Sequence, residues 1–192
     1  MNCLEENRNY IVSGLERSGT SMMMQILKAG KIPIAFDESR KPDSNNPKGY
    51  YELEGGKVIN KLQHGKFNFD KYLGKFIKVT SYGTLYFPGR RNYTVIYMER
   101  DIQEILDSSD TMIGEKDKNR SRTIKSLEKL NRSAISNMMD RIDTRLLLMN
   151  YNNILDDPEG NIDMILEFLE LPDDNLQSMI KTVDDKLYRN RR

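Results

Sequence analysis

The chain has 192 residues of which 38% are hydrophobic, enough for one sizeable core and too few for two ordinary domains, so a single domain over 1–192 is expected. Thirty basic and 29 acidic side chains leave a net charge of +1, which excludes a global field drawing the protein to nucleic acid or acidic membrane, so any anion site must be local. The lone Cys3 excludes an internal disulfide framework and a cysteine-based zinc site. The polar "MNCLEENRNY" start and the lack of any run near ~20 apolar residues complete the expectation of a soluble, unprocessed, cytoplasmic protein with no membrane partner.

In chain order, short β-rich runs alternate with helical patterns. Residues 9–14 (NYIVSG), 76–82 (FIKVTSY), 93–100 (YTVIYMER) and 145–151 (RLLLMNY) read as strands, several of them apolar on both faces as buried parallel strands are. Met22, Met23, Ile26 and Leu27 fall at helical spacing after the first strand, and Ile102, Ile105 and Leu106 do so after the third. A longer helix carries Ile124, Leu127, Ala134, Ile135, Met138 and Ile142; another, NIDMILEFLELP, stops at Pro172, with room for a further short helix beyond. The alternation predicts an α/β layer fold with a mostly parallel central sheet flanked by helices, and ligands at the carboxyl ends of its strands.

One such end holds SGLERSGTSMM, residues 13–23. Gly14 followed by Gly19, Thr20 and Ser21 almost completes the phosphate-cradling pattern G-x-x-x-x-G-K-[ST], with Thr20 in place of the lysine. A strand turning through glycines into a helix aims several backbone N–H groups at one spot, where the helix dipole adds positive character. Arg17 adds a full charge, and Ser18, Thr20 and Ser21 add hydroxyls. A metal-free anion site is the expectation, although the same glycines would also serve a ligand-free tight turn.

Residues 37–56 (DESRKPDSNNPKGYYELEGG) break the pattern with two prolines, three glycines and several charges, and read as a long surface loop with a short strand at Tyr50 and Tyr51. The basic stretch KDKNRSRTIKSLEK has interspersed acids and no aromatic partners, and reads as a solvated helix entry, so no nucleic acid partner is expected.

Together these residues resemble the sulfotransferases that use 3′-phosphoadenosine 5′-phosphosulfate (PAPS). SGLERSGTSMM is similar to their 5′-phosphosulfate loop. YMERDIQEILDSS places Arg100 at a strand end and Ser108 eight residues on, like the pair those enzymes use on the 3′-phosphate. That spacing is mechanically sensible, since Asp101 can cap the helix that carries Ser108 back to Arg100. LLLMNYNNILDDPEGNIDMILEFLELP is similar to the family's strand, turn, Asp-Pro and helix, which would stand Tyr151 near the adenine. The ending VDDKLYRNRR could bring Arg189 or Arg191 to the cofactor.

The resemblance implies a three-layer P-loop fold and in-line transfer of a sulfuryl group from PAPS to a hydroxyl, less readily an amine, of a small-molecule or tethered acceptor. It further implies release of 3′,5′-diphosphoadenosine, no metal, cofactor contacts from Gly14, Arg17, Ser18, Gly19, Thr20, Ser21, Arg100, Ser108, Tyr151 and Arg189, and a leaving group stabilised by Arg17. Taken alone, Arg100 could instead pair with Glu99 or Asp101, and Tyr151 could be a core aromatic at a strand end.

The base is less defined. KVTSYG (78–83) matches the family's Lys-Thr-His stretch without its histidine. Members with a glutamate base carry it about twenty residues beyond the loop arginine, and ungapped counting lands on Asp37 and Glu38, with Glu52 and then Glu54 next. His64 reads as a helix-end or surface residue. Glu16 stands where related loops carry proline, which leaves a non-catalytic nucleotide-binding relative as an alternative. A phosphate-loop kinase or NTPase with Glu99 as its metal acid is another.

Overall fold

The computed structural model describes residues 4–43 and 46–184. Four strands, β1 (Asn9–Gly14), β2 (Phe76–Lys78), β3 (Tyr93–Glu99) and β4 (Thr144–Asn150), form one parallel sheet in the order β2-β1-β3-β4. The central strands β1 and β3 are buried almost throughout, which is why they read as apolar runs without alternation. Their side chains nonetheless divide by parity. Tyr10, Val12, Ile96 and Met98 enter one core, while Ile11, Tyr93, Val95 and Tyr97 enter the other.

The first core is covered by α1 (Thr20–Ala29), α6 (Tyr151–Asp156), α7 (Pro158–Leu169) and α8 (Leu176–Ile180), through residues such as Met23, Leu27, Ile154, Ile165 and Met179. The second is covered by α2 (Val58–Gln63), α3 (Ser81–Thr84) and α5 (Arg120–Met139), through Val58, Leu62, Ala134 and Met138, with α4 (Ile102–Ile113) packed on α5. The result is the three-layer α/β architecture expected from the sequence.

Helix starts are fixed by side chains at the strand ends. Asp101 accepts from the backbone N–H groups of Gln103 at 2.8 Å and Glu104 at 3.1 Å, so α4 begins immediately after β3. Asn150 does the same for α6 with Asn152 and Asn153. Asp157 caps α7 with Pro158 in its first turn. These caps turn the chain sharply at the carboxyl ends of β3 and β4, and so place Arg100 and Tyr151 at the same edge as the loop that follows β1.

Four expectations are corrected. The second strand ends at Lys78, one residue short of a last bond from Val79 N–H to Val12 C=O, because residues 81–84 coil into α3. Tyr151 is the first residue of α6, not a strand end. No strand forms at Tyr50 and Tyr51, where Tyr51 has φ 55°. The long helix ends at Met139, leaving Ile142 outside it and fully exposed.

Candidate active site

The loop from Gly14 to Gly19 is built for close approach. Gly14 has φ 147°, and a Cβ there would lie 2.5 Å from the Met98 carbonyl oxygen. Gly19, at φ 100°, is pressed against the Tyr151 ring, where a Cβ would lie 2.3 Å from its edge. Both positions therefore require glycine. Ser18 is wholly buried and its Oγ has no hydrogen-bond partner, an unusual state for a buried hydroxyl. The N–H groups opening α1 have no intrahelical partner by construction, and no acidic residue in that first turn offsets the positive helix end. A tetrahedral anion suits this cradle.

Arg17 sits in the left-handed region at φ 69°, which sends its side chain across to α4, where Nε donates to Ser108 Oγ at 2.9 Å. Burial lowers the Arg17 pKa, as do Arg100 and Arg40 nearby, while Tyr50 and Asp43 act in the opposite direction. Arg100 reaches the same loop from the end of β3. Its Nη1 donates to the Arg17 carbonyl at 3.1 Å, its Nε pairs with Glu104 at 3.0 Å, and its guanidinium lies 4.5 Å over the Tyr151 ring. Burial raises the Tyr151 pKa, with Arg100 opposing. Arg17, Arg100, Ser108 and Tyr151, drawn from three separate segments, thus meet at one place. Arg100 pairs with Glu104, a residue the sequence reading passed over. Glu99 accepts instead from Asn131, and Asp101 serves as a cap.

These groups border a cavity of about 380 Å³ that Arg40, Tyr50, Glu52 and Val58 also line. Of the carboxylates proposed as bases, the structure brings Glu52 to the cavity; Asp37 and Glu38 do not line it. Asp37 is occupied in shaping the loop, accepting from Ser39 N–H at 2.9 Å and from Glu54 N–H at 2.5 Å. Burial would raise its pKa, but the hydrogen bonds from Ser39, Glu54 and Gly55 outweigh that and hold it below the usual carboxylate range. Glu38 is exposed, and Glu54 pairs with Lys61 at 2.6 Å. His64 caps the end of α2, its Nδ1 2.6 Å from Asn60 O, and is exposed.

Glu52 is held by two cations, Lys78 at 3.0 Å and Arg40 at 3.2 Å. Lys78 is buried, and desolvation lowers its pKa, with Glu52 the principal opposing influence. Its Nζ also contacts Ser21 Oγ at 3.2 Å and donates to the Tyr50 carbonyl, so one ammonium ties the first turn of α1 to Tyr50 and Glu52. Arg40 stacks 3.5 Å over the Tyr50 ring. In the sequence Lys78 belongs to a strand and to the stretch similar to Lys-Thr-His, with no role of its own. A charge inside the buried FIKV run was the signal that something must pair with it. Glu16 is exposed at the cavity rim. Arg189 and Arg191 lie outside the described residues. Among the described residues, no cluster of three or more His, Cys, Asp or Glu is arranged to hold a metal.

The sequence model of the sulfotransferase domain matches residues 7–191. The chain belongs to the sulfotransferase domain family. Solved structures agree on the fold of this sulfotransferase domain. A retinol dehydratase in complex with androsterone and the inactive cofactor PAP is 17% identical with a TM-score of 0.51, the alignment covering 94% of this chain and 65% of that one. A mouse sulfotransferase complexed with PAP is 10% identical at TM-score 0.52, covering 100% and 68%. The sulfotransferase domain of the Synechococcus PCC 7002 olefin synthase is 16% identical at 0.51, covering 96% and 81%. This chain therefore spans about two thirds of the length of the first two. No curated protein sequence matches significantly. Among the described residues no helix is long and apolar enough to cross a membrane.

Proposed function

We propose that this chain, acting as one domain, transfers a sulfuryl group from PAPS to a hydroxyl, with an amine as the second choice, on a small-molecule or tethered acceptor. The observation that carries this reading is the convergence of the Arg17 loop, Arg100, Ser108, Tyr151, Glu52 and Lys78 on the lining of one cavity. PAPS would supply an activated sulfuryl group on its 5′-phosphate. Gly14, Gly19 and the first-turn amides fit the nonbridging oxygens, with Ser18, Thr20 and Ser21 as hydroxyl donors. Arg100 and Ser108 suit the 3′-phosphate, and Tyr151 offers a ring beside them.

During transfer an S–O bond to the acceptor forms as the S–O bond to the 5′-phosphate breaks, and the acceptor proton passes to Glu52. Negative charge grows on the departing phosphate oxygen, where Arg17 provides preorganised stabilisation. Lys78 and Arg40 keep the Glu52 carboxylate against the cavity. Thr20 in the lysine position leaves no side chain to reach the outer phosphates of ATP, and Glu99 is turned to Asn131, so the kinase or NTPase reading loses its two chemical requirements.

Calorimetry tests the donor. 3′,5′-Diphosphoadenosine is expected to bind without magnesium at micromolar or better affinity, more tightly than ATP; equal affinity for adenosine 5′-phosphate would overturn the assignment. Glu16 at the cavity rim favours one second reading, a nucleotide-binding relative without turnover. Transfer of labelled sulfate to an acceptor panel separates the two.

A further inference from the structure

Glu104 and Ser108 lie four residues apart on α4 and so share a face, and Arg100, two residues ahead of the helix, reaches Glu104 through an ion pair. Glu104, between the two residues assigned to the 3′-phosphate, is 1% exposed. A carboxylate this deeply buried is tolerated only when its charge and lone pairs are satisfied. Glu104 meets that demand with groups from two elements: Oε2 accepts from Arg100 Nε at 3.0 Å, and Oε1 accepts from Asn152 Nδ2 of α6 at 3.3 Å.

The consequence falls on Arg100. A guanidinium is a planar fork, so fixing Nε leaves rotation about one direction only, and the Tyr151 ring 4.5 Å beneath it limits that too. With its plane set, Nη1 lands on the Arg17 carbonyl at 3.1 Å. We infer that Glu104 is a positioning residue: by holding Arg100 Nε it sets the guanidinium plane that ties the Arg17 loop to β3 and presents Arg100 to the 3′-phosphate. The inference rests on the PAPS reading above.

A carboxylate near a phosphate site also repels the ligand, so positioning and repulsion predict opposite signs. Two variants separate them. Glu104→Asp keeps the charge and withdraws the acceptor oxygens by one methylene; Glu104→Gln keeps an acceptor oxygen and removes the charge. Calorimetry on the full chain compares 3′,5′-diphosphoadenosine with adenosine 5′-phosphate. In the wild type the affinity ratio is expected to be about tenfold or more. In Glu104→Asp the ratio should fall roughly fivefold to tenfold, the size of a misaligned charge-assisted contact, with a smaller loss for adenosine 5′-phosphate through the loosened Arg17 loop.

A smaller fall is expected for Glu104→Gln. A merely structural role would weaken both nucleotides together and leave the ratio alone, which overturns the inference. A ratio that rises in Glu104→Gln overturns it in favour of repulsion. If Glu104→Asp does not fold, Glu104→Gln decides: a fall in its ratio supports positioning, and an unchanged or higher one refutes it. A wild type that binds both nucleotides equally removes the donor reading and this inference together, whereas variants that keep a high wild-type ratio remove this inference alone.

Discussion

At the scale of single residues, the site divides into groups that hold charge and groups that aim it. Arg100 does the first. Its side chain is buried, ion-paired and hydrogen-bonded to the loop, so Arg100→Ala removes the proposed contact to the 3′-phosphate and an anchor for Arg17 together. The expected loss in 3′,5′-diphosphoadenosine affinity is about 1.5–3 kcal/mol, the worth of a charge-assisted hydrogen bond, measured by calorimetry on folded protein. Glu52 does something different. It touches no part of the phosphate loop directly and reaches it only through Lys78, which contacts Ser21. Glu52→Gln should therefore leave nucleotide affinity nearly unchanged and slow sulfate transfer ~10²-fold or more, the usual contribution of a positioned base. Full transfer by Glu52→Gln with an identified acceptor would shift the base to another group at the cavity.

At the scale of elements, the loop of residues 31–53 is held by side chains where regular backbone pairing is sparse. Asp37 is its main pin, joining Ser39 to the turn at Glu54. Because the folded Asp37 pKa is depressed, the unfolded chain takes up the proton first as pH falls. Its stabilisation is complete above the ordinary carboxylate value of about 3.9 and disappears as pH falls through the lower folded value. Urea midpoints at neutral pH and near pH 3 should fall further in the wild type than in Asp37→Asn; equal losses would show that the pin adds nothing.

The same loop marks where sequence was informative and where it was not. β1, β3 and β4 were legible because burial on both faces forces uninterrupted apolar runs, and the Arg100 and Ser108 spacing was legible because a capped helix has a fixed pitch. Which candidate carboxylate lines the cavity was not, because an ungapped count assumes that distance along an irregular loop maps to distance in space. Proline, glycine and side-chain pins instead carry Asp37 away from the cavity and return Glu52 to it. α2 escaped notice because Val58 and Leu62 supply a single i, i+4 pair, too short for a period to register.

At the scale of the molecule, four of the candidate groups sit at the carboxyl ends of the four strands: Arg17 after β1, Lys78 closing β2, Arg100 after β3 and Tyr151 after β4. A parallel sheet makes this possible because all four ends share one edge, and the proposed ligand would add to the side-chain contacts that already join those ends, Arg17 to Ser108 and Lys78 to Ser21 among them. Binding should therefore resist global unfolding, since separating the strands dismantles the site. Linkage sets the size: ligand at 100 times its dissociation constant stabilises the native state by about 2.7 kcal/mol. For a chain of this length each kcal/mol is worth roughly 2–4 °C, so 3′,5′-diphosphoadenosine should raise Tm by about 5–11 °C. In Arg100→Ala at the same ligand concentration the shift should shrink to at most about 6 °C, because a tenfold or greater loss of affinity leaves about 1.4 kcal/mol of stabilisation or less. Differential scanning calorimetry with and without ligand checks both numbers. A wild-type shift near zero at saturating ligand would mean that the nucleotide does not favour the folded sheet, and that these strand ends are not where it binds.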